Sequence, residues 1–291
     1  MTRALSTGTF LVAVLLYGAA GLLYFLDILR KDARAPANRA PAALKRFPLP
    51  PVLLGAAAIF HFAYVTVASL VARVCPVDSV HFSLSMSSIF AIGAYLVARL
   101  RFRIDTLGVL LAPLGLVFLA GTFFLGQPGP SQKLGAVFIA LHVMANLAGA
   151  ALFTLAGGVA LLYLVQEKRL KQKRAGGQRG RLPPLEVLDT AVHRFLLAGF
   201  PLLTLGVLTG TIWSKRIETG RPEELLRAGL GYATWLLIAT MLLLRVAMGW
   251  RGRRSAYGTI AAFLFVAAVL VVYLVRPVAA VGGSAIGGLT P

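Results

Sequence analysis

The stretch LAGFPLLTLGVLTGTIWSKRIETGRPEEL, residues 197–225, is an apolar segment with glycines four apart that reaches Trp213 and then breaks into charge. From Leu197 to Trp213 it holds no ionisable side chain. About 20 such residues, with those just before them, cross a hydrocarbon layer roughly 30 Å thick. Working outward, eight runs of this kind lie near 8–29, 50–73, 80–98, 106–126, 134–165, 194–214, 229–249 and 256–276.

Composition agrees. The 291 residues are 58% hydrophobic and only 13% charged, with a mean hydropathy of +0.81. A soluble domain carries about twice that charged share. The expected fold is therefore all-α: a single polytopic integral membrane helix bundle spanning 1–291, with about eight transmembrane helices.

The net charge of +19 suggests nucleic acid until its distribution is read. With the N-terminus outside, the inner segments hold Arg30, Lys31, Arg34, Arg39, Lys45 and Arg46, then Arg99, Arg101 and Arg103. They also hold the eight basic residues from Lys168 to Arg194, and Arg245, Arg251, Arg253 and Arg254. Basic loops at 30–49 and 166–193 thus alternate with poorer ones, as the positive-inside rule requires. Charge here reports topology and attraction to anionic lipid, so no nucleic acid partner is expected. Both termini are expected outside, in an inner (cytoplasmic) membrane, with the first run retained rather than cleaved because no small-residue cleavage site follows it.

Cys75 is the only cysteine, which excludes an internal disulfide and a CxxCH haem-attachment site. RKDARAPANRAPAALKRFPLPP reads as an irregular linker, and LEVLDTAVHR, after Pro183 and Pro184, as a segment lying along the inner surface. Pro113 and Pro201 are expected to bend their helices. Gly206 and Gly210 form a GxxxG, which, like Gly149, Gly157 and Gly158, reads as close helix packing.

Ionisable groups inside membrane helices are candidates for function. His142 lies about 12 Å inside the outer end of the fifth run, with Asn146 one turn on and on the same face. His81 opens the third run, His61 lies near the middle of the second, and His193 is at the inner end of the sixth beside Arg194. A neutral imidazole is a good iron ligand, and two on different helices could clamp a haem within a bundle. His142 and His81 are the only pair that the topology places together, toward the outer face; His61 is a further candidate. The plainer account of each is a hydrogen bond to a neighbouring helix, worth about 1 kcal/mol. No Ser/His/Asp set, phosphate loop or metal-spaced cluster occurs, so the chain is not expected to be an enzyme.

Two long segments, LHVMANLAGAALFTLAGGVALLYLVQEKRLK (141–171) and LPPLEVLDTAVHRFLLAGFPLLTLGVLTGTIW (182–213), with the shorter TWLLIATMLLLRVAMGWRGR (234–253), resemble the cytochrome c assembly family of CcsA and HemX type. The matching residues are His142, Leu188, Asp189, Arg194, Gly199, Phe200, Pro201, Gly206, Gly210, Trp213, Thr234, Trp235, Arg245, Gly249 and Trp250. The resemblance implies haem as cofactor, with His142 as ligand. It also implies, as partners besides the bilayer, other cytochrome c assembly subunits or a haem-synthesis enzyme.

The departures are as informative. Haem-exporting members carry a tryptophan-rich loop ending in Asp-Pro-Lys-Glu after the helix that matches Trp213; this chain reads SKRIETGRPEELLRAGLGYAT there. Flat aromatic surfaces for stacking on a porphyrin are replaced by charge. Leu243 stands where the family has a histidine, and the tail VAAVGGSAIGGLTP has none. Three functions follow from the resemblance: a cytochrome c maturation component that handles haem, a HemX-like regulator of haem biosynthesis acting through a cytoplasmic partner, or an accessory subunit that docks through 214–228.

Overall fold

The computed structural model of the chain describes residues 2–33, 49–72, 80–102, 104–126, 136–172, 183–214 and 222–284. Among them are eight α-helices and no strand: α1 (Thr2–Ala33), α2 (Leu49–Ala72), α3 (Val80–Ala98), α4 (Gly108–Leu125), α5 (Ala136–Lys171), α6 (Leu185–Ser214), α7 (Pro222–Met248) and α8 (Arg253–Ser284). All eight are long and apolar enough to cross a membrane. The chain is a multi-pass membrane protein whose exposed leucines, valines and phenylalanines face lipid, where a soluble protein would bury them.

Two groups of four helices share the structure. In the first, α1 packs on α2 and α4, and α3 on α2 and α4; in the second, α5 packs on α6 and α8, and α7 on α6 and α8. The groups meet chiefly where α3 lies on α5, and there the Ser87 hydroxyl donates to the Leu147 carbonyl at 3.4 Å. Arg99, Lys168, Lys171, Arg194, Arg245, Arg251, Arg253 and Arg254 gather at one end of the bundle, the end expected from the charge pattern. There Arg99 pairs with Asp105 at 2.8 Å across the short turn between α3 and α4.

Several helices outrun their expected bounds, α8 reaching Ser284 where 276 was expected, and α6 and α7 absorb segments expected to lie outside them. LEVLDTAVHR does not lie apart on a surface; it is the first part of an unbroken α6. Pro183 and Pro184 precede the helix, where a missing N–H costs nothing, and the Val187 and Leu188 N–H groups close on the Pro184 carbonyl at 3.0 and 3.2 Å. Leu188, Ala191 and Val192 then form a buried face at helical spacing. Likewise the expected connector 214–228 is helical from Pro222, with proline again near the helix start, so Glu223 and Glu224 open α7. Lys215, Arg216 and Glu218 lie outside the described residues, as do Cys75, residues 34–48 of the linker and residues 173–182. Pro113 and Pro201 sit inside continuous helices, α4 and α6.

Candidate functional site

α5 and α6 run antiparallel with small residues at their contact. A Cβ on Gly199 would stand 2.7 Å from the Phe153 ring, and one on Gly206 would overlap the Asn146 amide. A Cβ on Gly210 would come within 3.0 Å of Cε1 of His142. The GxxxG of α6 is thus the bed on which His142 and Asn146, one turn apart on α5, are laid.

The His142 ring is held as well as bedded. Its Nδ1 is 2.9 Å from Oγ1 of Thr209, whose hydroxyl also lies 2.6 Å from the Leu205 carbonyl and 3.0 Å from that of Gly206. A hydroxyl has one proton. With that proton given to a backbone carbonyl, the oxygen accepts Nδ1–H, and the lone pair is left on Nε2. The Asn146 amide donates to the His142 carbonyl at 2.9 Å and lies 3.3 Å from Nε2. The ring is partly exposed. An imidazole fixed through one nitrogen, with the other bearing its lone pair, is how proteins present a metal ligand.

His61 is built differently. It is fully buried, with Nδ1 3.1 Å from the Tyr17 hydroxyl and Nε2 2.9 Å from Oγ of Ser85. Ser85 lies 2.6 Å from the Thr122 hydroxyl, which also lies 2.8 Å from the His81 carbonyl. Four helices, α1 to α4, are thereby joined by one buried chain of hydrogen bonds. With both nitrogens engaged, His61 has no position left for a ligand.

His81 stands near the level of His142, because the Ser87–Leu147 contact sets α3 beside α5 six residues beyond one histidine and five beyond the other. Its ring, however, faces α4: Nδ1 is 4.0 Å from where a Cβ on Gly121 would stand. His142 faces α6. The two candidates share a level and not a seam. His193 is at the basic end, where its Nδ1 is buried without a hydrogen bond among the described residues. No group of three or more His, Cys, Asp or Glu suited to a metal ion occurs among the described residues.

Three features escape a reading by spacing. Thr209 as the partner of His142 is one; a hydroxyl between the two glycines of GxxxG was the available sign. The Tyr17–His61–Ser85–Thr122 chain is the second. The third is Asp189 of α6, which takes Arg245 of α7 through both oxygens at 3.2 and 2.8 Å and the Gly252 N–H at 2.9 Å. Trp235 of α7 stacks on Phe200 and donates to Thr204 at 2.9 Å, further tying α7 to α6.

The family model described as cytochrome C assembly protein matches residues 52–279. Protein HemX of Brevibacillus brevis is 28% identical over 209 residues, which cover 71% of this chain and 73% of that protein. The cytochrome c biogenesis protein CcsA of Prochlorococcus marinus (strain MIT 9312) is 38% identical over 93 residues, and that of Synechococcus sp. (strain JA-2-3B'a(2-13)) 36% over 80. Those matches span only 28% and 22% of the two CcsA proteins. No solved structure matches the chain.

Proposed function

The chain belongs to the cytochrome c assembly protein family, and from that premise we propose that it is a haem-handling membrane protein in which His142 would supply a nitrogen ligand to haem. The observation that carries this is the Thr209 hydroxyl on Nδ1 of His142, which orients the ring and leaves a lone pair on Nε2. The one neighbour of that lone pair among the described residues is the Asn146 amide, 3.3 Å away and longer than either contact of His61, so that a ligand has only that amide to displace. The residues fit the group as follows: His142 fits as a ligand, His61 does not, and His81 stands at the right level but on another seam. Haem, when bound, supplies an iron centre that takes a neutral imidazole nitrogen.

The work of the protein's own residues is to hold that nitrogen. Thr209 fixes the tautomer, Asn146 pins the backbone one turn away within α5, and the glycines of α6 bring the two helices close enough for the Thr209 contact. We infer no catalytic step: the proposed role is binding and presentation at the non-basic end of the bundle. Placing the basic end in the cytoplasm puts His142 toward the outer face of an inner membrane, with both termini outside.

A HemX-like role, regulating haem synthesis through a cytoplasmic partner, is favoured over haem export by one comparison. The match to Protein HemX runs along most of both chains, whereas the CcsA matches span less than a third of this one. The absence of a tryptophan-rich sequence after Trp213 agrees.

The test is spectroscopic. The purified full chain in detergent is titrated with haem, and the Soret band is compared with those of His142→Ala and His81→Ala. The band is expected to weaken or shift in His142→Ala. A band unchanged in both variants removes the ligand assignment, and no band at any haem ratio removes the haem reading. In the HemX-like case the full chain captures a haem-synthesis enzyme from a membrane extract; capture of assembly subunits instead restores the maturation role.

A further inference from the structure

Between α7 and α8 the chain turns through Gly249, Trp250, Arg251 and Gly252, with both glycines at positive φ (64° and 69°). Such angles strain any residue with a Cβ. The turn is fixed from outside itself. Asp189, already neutralised by Arg245, accepts the Gly252 N–H, and the Trp250 N–H reaches back to the Leu244 carbonyl at 3.3 Å. Gly252 also lies against Tyr163 of α5, whose hydroxyl would be 2.9 Å from a Cβ there.

The result is an open cleft of about 370 Å³ lined by Met248, Gly249, Trp250, Arg251, Arg253 and Arg254. Every charge on its wall is positive. Arg253 lies over the Tyr257 ring and Arg254 over the Trp250 ring, at 5.4 and 5.8 Å, contacts that hold guanidinium planes in place without cancelling charge. Among the described residues no salt bridge ties a carboxylate to Arg251, Arg253 or Arg254, although Asp189 and Glu167 are near enough to attract Arg251 and Arg253. Asp189 is committed to Arg245, and Glu167, the carboxylate on neighbouring α5, is 2.6 Å from Lys171.

We infer that this cleft binds the phosphate of an anionic phospholipid headgroup. Guanidinium forks match phosphate oxygens, and basic pockets at helix ends are where such headgroups settle. The lipid source is favoured over free phosphate by what adjoins the cleft. Leu243, Val246 and Met248, at the end of α7 that enters it, are 65%, 82% and 65% exposed, an apolar flank along which acyl chains can lie. Trp250 marks the interfacial level, where tryptophan concentrates in membrane proteins. The inference is independent of whether haem binds.

Native mass spectrometry of the full chain in detergent tests it, with added phosphatidylglycerol, phosphatidylcholine of the same chains, or inorganic phosphate. Phosphatidylglycerol is expected to be retained well above phosphatidylcholine. Retention should fall at least tenfold in Arg251→Gln/Arg253→Gln/Arg254→Gln, and much less in Lys168→Gln/Arg169→Gln/Lys171→Gln, which removes equal charge from α5. Equal losses in the two variants, or equal retention of both lipids, overturn the cleft as the site. Retention of phosphate at the affinity of the lipid overturns the lipid as occupant. Should the glutamine variant fail to fold, Arg251→Lys/Arg253→Lys/Arg254→Lys keeps the charge and removes the forks; several-fold weaker retention is expected, and unchanged retention overturns the guanidinium clamp.

Discussion

Asp189 and Arg245, 56 residues apart, meet through two parallel hydrogen bonds with side chains only 13% exposed, and the same carboxylate holds the backbone of Gly252. One acidic residue therefore fastens α6 to α7 and sets the start of α8. Removing one partner leaves a charge with little water around it, at a cost of about 3 kcal/mol or more, whereas removing both is milder. Asp189→Ala is expected to lower the thermal midpoint in detergent strongly, and Asp189→Ala/Arg245→Leu to recover part of the loss. A double variant no better than the sum of the singles would show that the pair is not coupled.

The buried His61 gives a second prediction, with opposite readouts on stability and haem. His61→Ala opens a cavity and strips partners from Tyr17 and Ser85, so destabilisation of about 2–4 kcal/mol is expected by thermal melting. The haem titration of surviving protein should be unchanged, because both nitrogens are already occupied in the fold. A lost Soret band in protein that melts like the parent would reassign His61 as a ligand.

Thr209→Val keeps the shape of the side chain and deletes the oxygen beside Nδ1 of His142. The imidazole then loses the contact that fixes its orientation and tautomer, and haem affinity is expected to fall about 10- to 100-fold, as for outer partners of metal ligands generally. Thr209→Ser should restore it. Equal titrations for valine and threonine would assign the hydroxyl to helix packing alone.

Close approach of α5 and α6 is tested by a pair of glycines. Gly206→Ala places a methyl on the Asn146 amide and should destabilise by about 1–3 kcal/mol while disturbing the His142 contacts. Gly229→Ala, on α7 with nothing within 4 Å, should be neutral or stabilising, since alanine is the better helix former. Melting curves of the two variants that coincide would remove the packing argument.

The eight helices were legible because apolar runs of about 20 residues record the thickness of the bilayer. The start of α7 was not, since Pro222–Ala228 carries charge and so has no hydropathy signal although it is helical. At the candidate site, His142 and Asn146 could be placed on one face from their spacing. Their bed could not: which side of α6 meets them depends on how two helices rotate against each other, and spacing within one helix does not fix that rotation. The same ignorance hid the partners of His61 and joined His81 to His142 by level alone.

The length of α5 has a mechanical consequence. Its 36 residues extend about 54 Å, against a hydrocarbon layer of about 30 Å. A single unbroken rod therefore carries His142 near one end and Lys168, Arg169 and Lys171 at the other, about 40 Å away. The ring-bearing end and the basic tip are thus parts of one continuous helix packed on α3, α6 and α8, with no break that would let either end turn independently of the other.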